Sequence, residues 1–96
     1  MARLKVYRYT AHESAVSAAL GQQGYQKQVE ALIATTSQAK AAEAIGVPLG
    51  AFRTYGGETW NPQSCVAALE NPGVVIYAPL HSSGGPWVFK DGKRAH

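Results

Sequence analysis

The chain has 96 residues, 46 % of them hydrophobic and only 16 % charged, with a formal charge of +3. This length suits one domain, 1–96, that buries roughly 60–65 % of the surface its unfolded chain exposes. The composition excludes intrinsic disorder, which needs few apolar residues and much charge, and no apolar run approaches the roughly 18 residues of a bilayer span.

The opening MARLKVYRYT carries cations but lacks the apolar block of about 7–15 residues that marks a secretory signal. A cytoplasmic location and no membrane partner are therefore expected. Cys65 is the single cysteine, so no internal disulfide can form and the core alone must hold the fold. The cationic excess sits at the two ends: Arg3, Lys5 and Arg8 at one, Lys90, Lys93 and Arg94 at the other. Pairing of the first and last strands would merge them into one basic patch. Otherwise they serve as solvated charges that guard strand edges.

In chain order, residues 3–10 predict a strand, with Leu4, Val6 and Arg8 on one face and Lys5, Tyr7 and Tyr9 on the other. The Ala-rich stretch 11–21 predicts a short helix or structured loop stopped by Gly21. Residues 25–36 fit either state: Val29, Leu32 and Ile33 make a helical stripe, and Val29, Ala31 and Ile33 make a strand face. Strand is the preferred reading, because the first strand needs a partner and Thr35-Thr36 favours extended backbone.

Ser37 then caps a helix that ends at Gly46, and Pro48 opens a second that ends at Gly56-Gly57. Asn61-Pro62 opens a third, 62–70, with Val66, Ala67 and Leu69 expected inward. The run Val74-Val75-Ile76-Tyr77 predicts a central strand stopped by Pro79, and 87–90 a last strand before a mobile tail, 90–96. The expected fold is α+β: a small antiparallel or mixed sheet of three to four strands, with two to three short helices on one face.

The segment 37–56, SQAKAAEAIGVPLGAFRTYG, has helix-turn-helix spacing: small Ala42 at the crossing, Gly46 in the turn, and Val47 and Phe52 closing the core between the helices. That packing is not specific to DNA. Between Ser37 and Trp60, Lys40 and Arg53 are cancelled by Glu43 and Glu58, whereas duplex binding draws on phosphate neutralisation. A structural helix pair is the preferred reading, with a DNA-binding regulator as the alternative.

From Ala34 to Ser37 the chain reads Ala-Thr-Thr-Ser; Gly46-Val47, Tyr55 to Asn61 and Glu70 to Val75 follow at spacing. Over 33–79, about half the chain, this pattern resembles a family of small bacteriophage- and prophage-encoded accessory proteins. The resemblance implies a phage origin, the cytoplasm of an infected bacterium, and an accessory role without catalytic residues. Trp60 departs from it, standing where a small residue is expected.

No catalytic arrangement is legible. His81-Ser82-Ser83 and Ser64 lack a nucleophile elbow. His12-Glu13 are adjacent and point apart, and three His and one Cys have no metal-ligand spacing. Gly84-Gly85 lacks the Lys-Ser/Thr ending of a phosphate loop. Catalytic, cofactor and metal sites are thus expected to be absent. The Gly56–Asn61 stretch sets polar groups beside an aromatic on a permissive backbone, as functional loops do; otherwise Asn61 caps, Thr59 ties the turn and Trp60 covers the core edge. The expected partner-binding residues are Arg53, Tyr55, Glu58 and Trp60, with Trp87 and His81 as neighbours and a host or phage protein as partner. Self-association through the last strand is the third possibility.

Overall fold

Alternation in the first strand sets the architecture. The computed structural model describes residues 3–21, 28–79 and 86–95. Strand β1 (Lys5–His12) buries Tyr7, Tyr9 and Ala11 on one face and Val6 on the other. It pairs antiparallel with β2 (Gln28–Thr35), Tyr7 opposite Ile33 and Val6 opposite Ala34. Strand β2 is strand as expected, and its helix-like pattern has a physical cause. Val29, Ala31 and Ile33 are buried on one face and Leu32 and Ala34 on the other, so apolar residues fall at helical spacing although the backbone is extended. Residues 25–27 lie outside the described residues.

Two short strands complete the sheet, β3 (Gly56–Glu58) beside β1 and β4 (Ile76–Pro79) beside β2, all antiparallel in the order β3-β1-β2-β4. The run expected to form a central strand thus lies at one end of that order. Beyond β4 the chain adds a single bridge, in which Tyr77 and Val88 exchange both backbone hydrogen bonds at 2.8 Å. Val88 also bridges Arg94, and the Ala95 N–H donates to the Trp87 carbonyl at 2.8 Å. Residues 90–95, expected as a free tail, therefore fold back in a hairpin. The first and last strands do not pair. With β2 and β4 between β1 and Val88, three strand spacings amount to about 14 Å, and the two basic ends do not merge at the sheet.

Helices α1 (Ser14–Ala19), α2 (Gln38–Ile45) and α3 (Leu49–Tyr55) cover the tyrosine face of the sheet through Val16, Ala41, Ala42 and Phe52. Ser37 caps α2 by accepting from the Lys40 N–H at 3.2 Å. Gly46 ends it at φ 90°, a left-handed value that costs glycine little. Helix α4 (Pro62–Leu69), capped by Asn61 accepting from Ser64 N–H at 3.0 Å, packs on the opposite face. The fold is α+β as expected, with three helices on one face among the described residues; the correction is the fourth, α4, which packs on the other.

The same helix corrects a second expectation. Its inward stripe is Ser64, Ala67 and Ala68, at i, i+3 and i+4, and these are buried. Small side chains let α4 lie close to Val6, Leu32 and Ala34. Val66 and Leu69, expected inward, are turned out and exposed.

Candidate functional site

Glycine in the Gly56-Gly57 pair ends α3 and starts β3 without a linker. Gly56 donates its N–H to the Phe52 carbonyl, closing the helix. A Cβ on Gly56 would collide with the backbone carbonyl of Arg8, so only glycine permits this approach of β3 to β1. Thr59 prolongs the pairing by donating its N–H to Val6 O at 2.8 Å, and its hydroxyl accepts from Asn61 N–H at 3.3 Å. Trp60 follows, and it does not cover the core: 76 % of its surface is exposed.

Around Trp60 the chain builds a depression of about 270 Å³ lined by Arg3, Leu4, Lys5, Glu58, Cys65 and Leu69. Leu4 and Leu69 are themselves more than two-fifths exposed, and Val66 is exposed on the same helix. Several large apolar side chains left in water together are unlike isolated surface leucines and mark contact surfaces. Arg3 and Lys5 form no ion pair among the described residues, whereas Lys90 meets Glu13 at 4.0 Å.

The Cys65 thiol on this wall is held protonated. Burial, and secondarily the Glu58 carboxylate, push it above its ordinary value, and it donates to the Thr59 carbonyl at 3.6 Å. Nucleophilic cysteines need the opposite shift. Tyr7, buried on β1 opposite Glu58, is likewise raised by burial first and Glu58 second.

The four expected contact residues do not share one cavity. Glu58 and Trp60 line the depression just described. Tyr55, 62 % exposed, lines a second one of about 400 Å³ with Tyr9, Thr10, His12 and Gln28, at the other end of β3. Four residues lie between Tyr55 and Trp60, and five steps at the rise of a strand span roughly 16 Å. Arg53 is exposed on the last turn of α3 and lines neither depression. Trp87, expected nearby, is buried against α4 and is no part of the surface. His81 lies outside the described residues.

The helix pair 37–56 turns its apolar side to the sheet. Phe52 stacks on Tyr9 with centroids 6.0 Å apart and planes at 9°, and meets Tyr7 edge-on at 6.0 Å. Outward, α3 shows Gly50, Arg53, Thr54 and Tyr55, and the Thr54 hydroxyl is spent on the Gly50 carbonyl at 3.0 Å.

Leu4, Leu69, Arg3 and Lys5 were not legible as site residues. One signal existed: the small stripe Ser64-Ala67-Ala68 leaves Leu69 off the packed side of α4. Among the described residues, no three His, Cys, Asp or Glu side chains are placed to share a metal ion, and no helix is long and apolar enough to cross a membrane. Compared with known proteins, the chain matches no family model, no curated protein and no solved structure.

Proposed function

We propose that this chain is a small non-catalytic binding module of phage type, which contacts a host or phage protein through the Trp60 surface in the cytoplasm of an infected bacterium. The observation that carries the reading is Trp60 itself, 76 % exposed beside exposed Leu4 and Leu69. A large aromatic held in water on a rigid frame adds nothing to the core and is the type most enriched among interface anchors. Tyr55 at the far end of β3 extends the surface, and Arg53 and Glu58 orient the partner.

The phage-type assignment rests on the motif resemblance over 33–79. Duplex binding has less support: Arg53 is the sole ionised side chain on α3, too little positive charge for phosphate-driven affinity. Self-association through the last segment also has less support, since Val88 already pairs on both sides within the chain.

Affinity capture from bacterial lysate tests the reading, using wild type and Trp60→Ala, with thermal unfolding to show that both are folded. The expected result is a protein identified by mass spectrometry with wild type and reduced at least about tenfold by the variant, the cost of an interface anchor being about 2 kcal/mol or more. Equal capture by both forms rejects this surface.

A further inference from the structure

The Trp60 surface adjoins β3, beyond which no strand pairs among the described residues, and the backbone there has groups to spare. Thr59 N–H donates to Val6 O, and the register sets Arg8 opposite Gly57 and Tyr7 opposite Glu58. Antiparallel pairing alternates, so Gly57 turns its N–H and C=O toward β1, while Gly56 and Glu58 turn theirs outward. The Gly56 N–H is taken by Phe52 O. The Gly56 carbonyl and both backbone groups of Glu58 are left facing away from the sheet.

Natural edges are usually blunted by bulky or charged side chains, proline or a bulge. Over its three residues this edge has one side chain, that of Glu58, and nothing lies within 4 Å of where a Cβ on Gly57 would stand. Glu58 also lines the Trp60 depression, so a chain pairing with its backbone would bring a side chain to that depression. The charge around the edge is one-sided. Among the residues lining the depression, Arg3 and Lys5 stand against Glu58, and exposed Arg8 sits opposite Gly57.

We propose that the Gly56–Glu58 edge accepts an extended, acidic segment of a partner protein as an added strand, with one large apolar side chain seated between Leu4, Trp60 and Leu69. This rests on the binding reading above and specifies the partner's chemistry. Main-chain hydrogen bonds supply affinity, and the depression and the cations supply selectivity. The same charge argues against a second copy, because two-fold pairing through Gly57 would bring Arg8 of both chains to one interface. The outward backbone groups and the apolar depression, which a phosphate backbone would leave unused, favour a peptide over nucleic acid.

Selection of short randomised peptides on the immobilised full-length chain tests this. The expected outcome is enrichment of Asp/Glu-rich peptides that carry one Leu, Phe or Trp and compete with one another. N-methylation of alternate peptide nitrogens should weaken the best of them about tenfold per hydrogen bond lost. The Glu58 amide should gain protection from hydrogen exchange, and Trp60→Ala should weaken binding comparably. Selected peptides that tolerate N-methylation at every position overturn strand addition, as does enrichment of neutral or basic sequences. Tighter binding of a single-stranded oligonucleotide at the same Trp60 site, or a concentration-dependent dimer that peptides dissolve, also overturns it. If lysate capture depends on Trp60 while no acidic peptide is selected, this inference alone fails. If capture ignores Trp60, the binding reading fails as well.

Discussion

Phe52 shows how one side chain ties a helix to the sheet. It is fully buried, stacked on Tyr9 and edge-on to Tyr7. Phe52→Ala is expected to cost about 3–5 kcal/mol, against a total stability of roughly 5–14 kcal/mol for a domain of this size. Urea unfolding checks this, as a large fall in midpoint with little change in slope. Trp60→Ala should change the stability by no more than about 0.5 kcal/mol, since its side chain is mostly in water already.

Burial at this scale also sets a pH dependence. Cys65, Tyr7 and Tyr77 all have pKa values raised in the fold, by burial first and then by Glu58, Glu58 and Glu13 respectively. Raised folded values mean that the unfolded chain loses these protons first. The stability they contribute is complete below the unfolded values and is lost as pH rises from these through the folded values. The decline should begin near 9.0 for the thiol and continue above 10.0 for the phenols. Thermal unfolding from pH 7 to 11 measures it. Cys65→Ala should remove the earlier part of the decline and leave the later part.

At the scale of elements, β3 turns on its two glycines, and they are not equivalent. Gly56 has an extended φ of −141°, which any residue can adopt, so its constraint is the Arg8 carbonyl and not backbone conformation. Gly57 has open space around it. Gly56→Ala is therefore expected to destabilise by about 1–3 kcal/mol, as overpacking does. Gly57→Ala should be neutral or slightly stabilising, since alanine loses less chain entropy. Parallel denaturation curves of the two variants check the contrast.

How much of the fold was legible differs element by element, for physical reasons. Strand β1 and the caps at Ser37, Gly46 and Asn61 were readable because local chemistry decides them. Strand β3 was not, because Gly-Gly disfavours extended structure and only pairing with β1 imposes it. The side taken by α4 was not readable either: Val66 and Leu69 outweigh Ala67 and Ala68 in hydrophobicity, yet close packing on the sheet selects the small pair. For the same reason the site was half legible. Glu58 and Trp60 declared themselves by composition, while Arg3, Leu4, Lys5 and Leu69 reach them only through tertiary packing.

At the scale of the whole molecule, the four-strand order ends differently on its two sides. Beside β4 the sheet is continued by Val88 and the hairpin ending at Ala95. Beside β3 no further strand follows among the described residues, and Tyr55 and Trp60 are exposed at either end of residues 56–59. The helix pair 37–56 spends its apolar residues on the tyrosine face, and Arg53 is the one ionised side chain on α3. Under the proposed function, contact falls to the β3 edge and support of the sheet to the helices.

The contrast between the two tryptophans gives the most direct measurement. Trp60 is in water and Trp87 is 5 % exposed, so acrylamide quenching of the free protein reports mainly on Trp60, with Trp60→Phe isolating Trp87. With the captured partner added, the account predicts that quenching falls to the level of the Trp60→Phe variant. Quenching of Trp60 that is unchanged at saturating partner, with hydrogen-exchange protection appearing instead along α3, would contradict it.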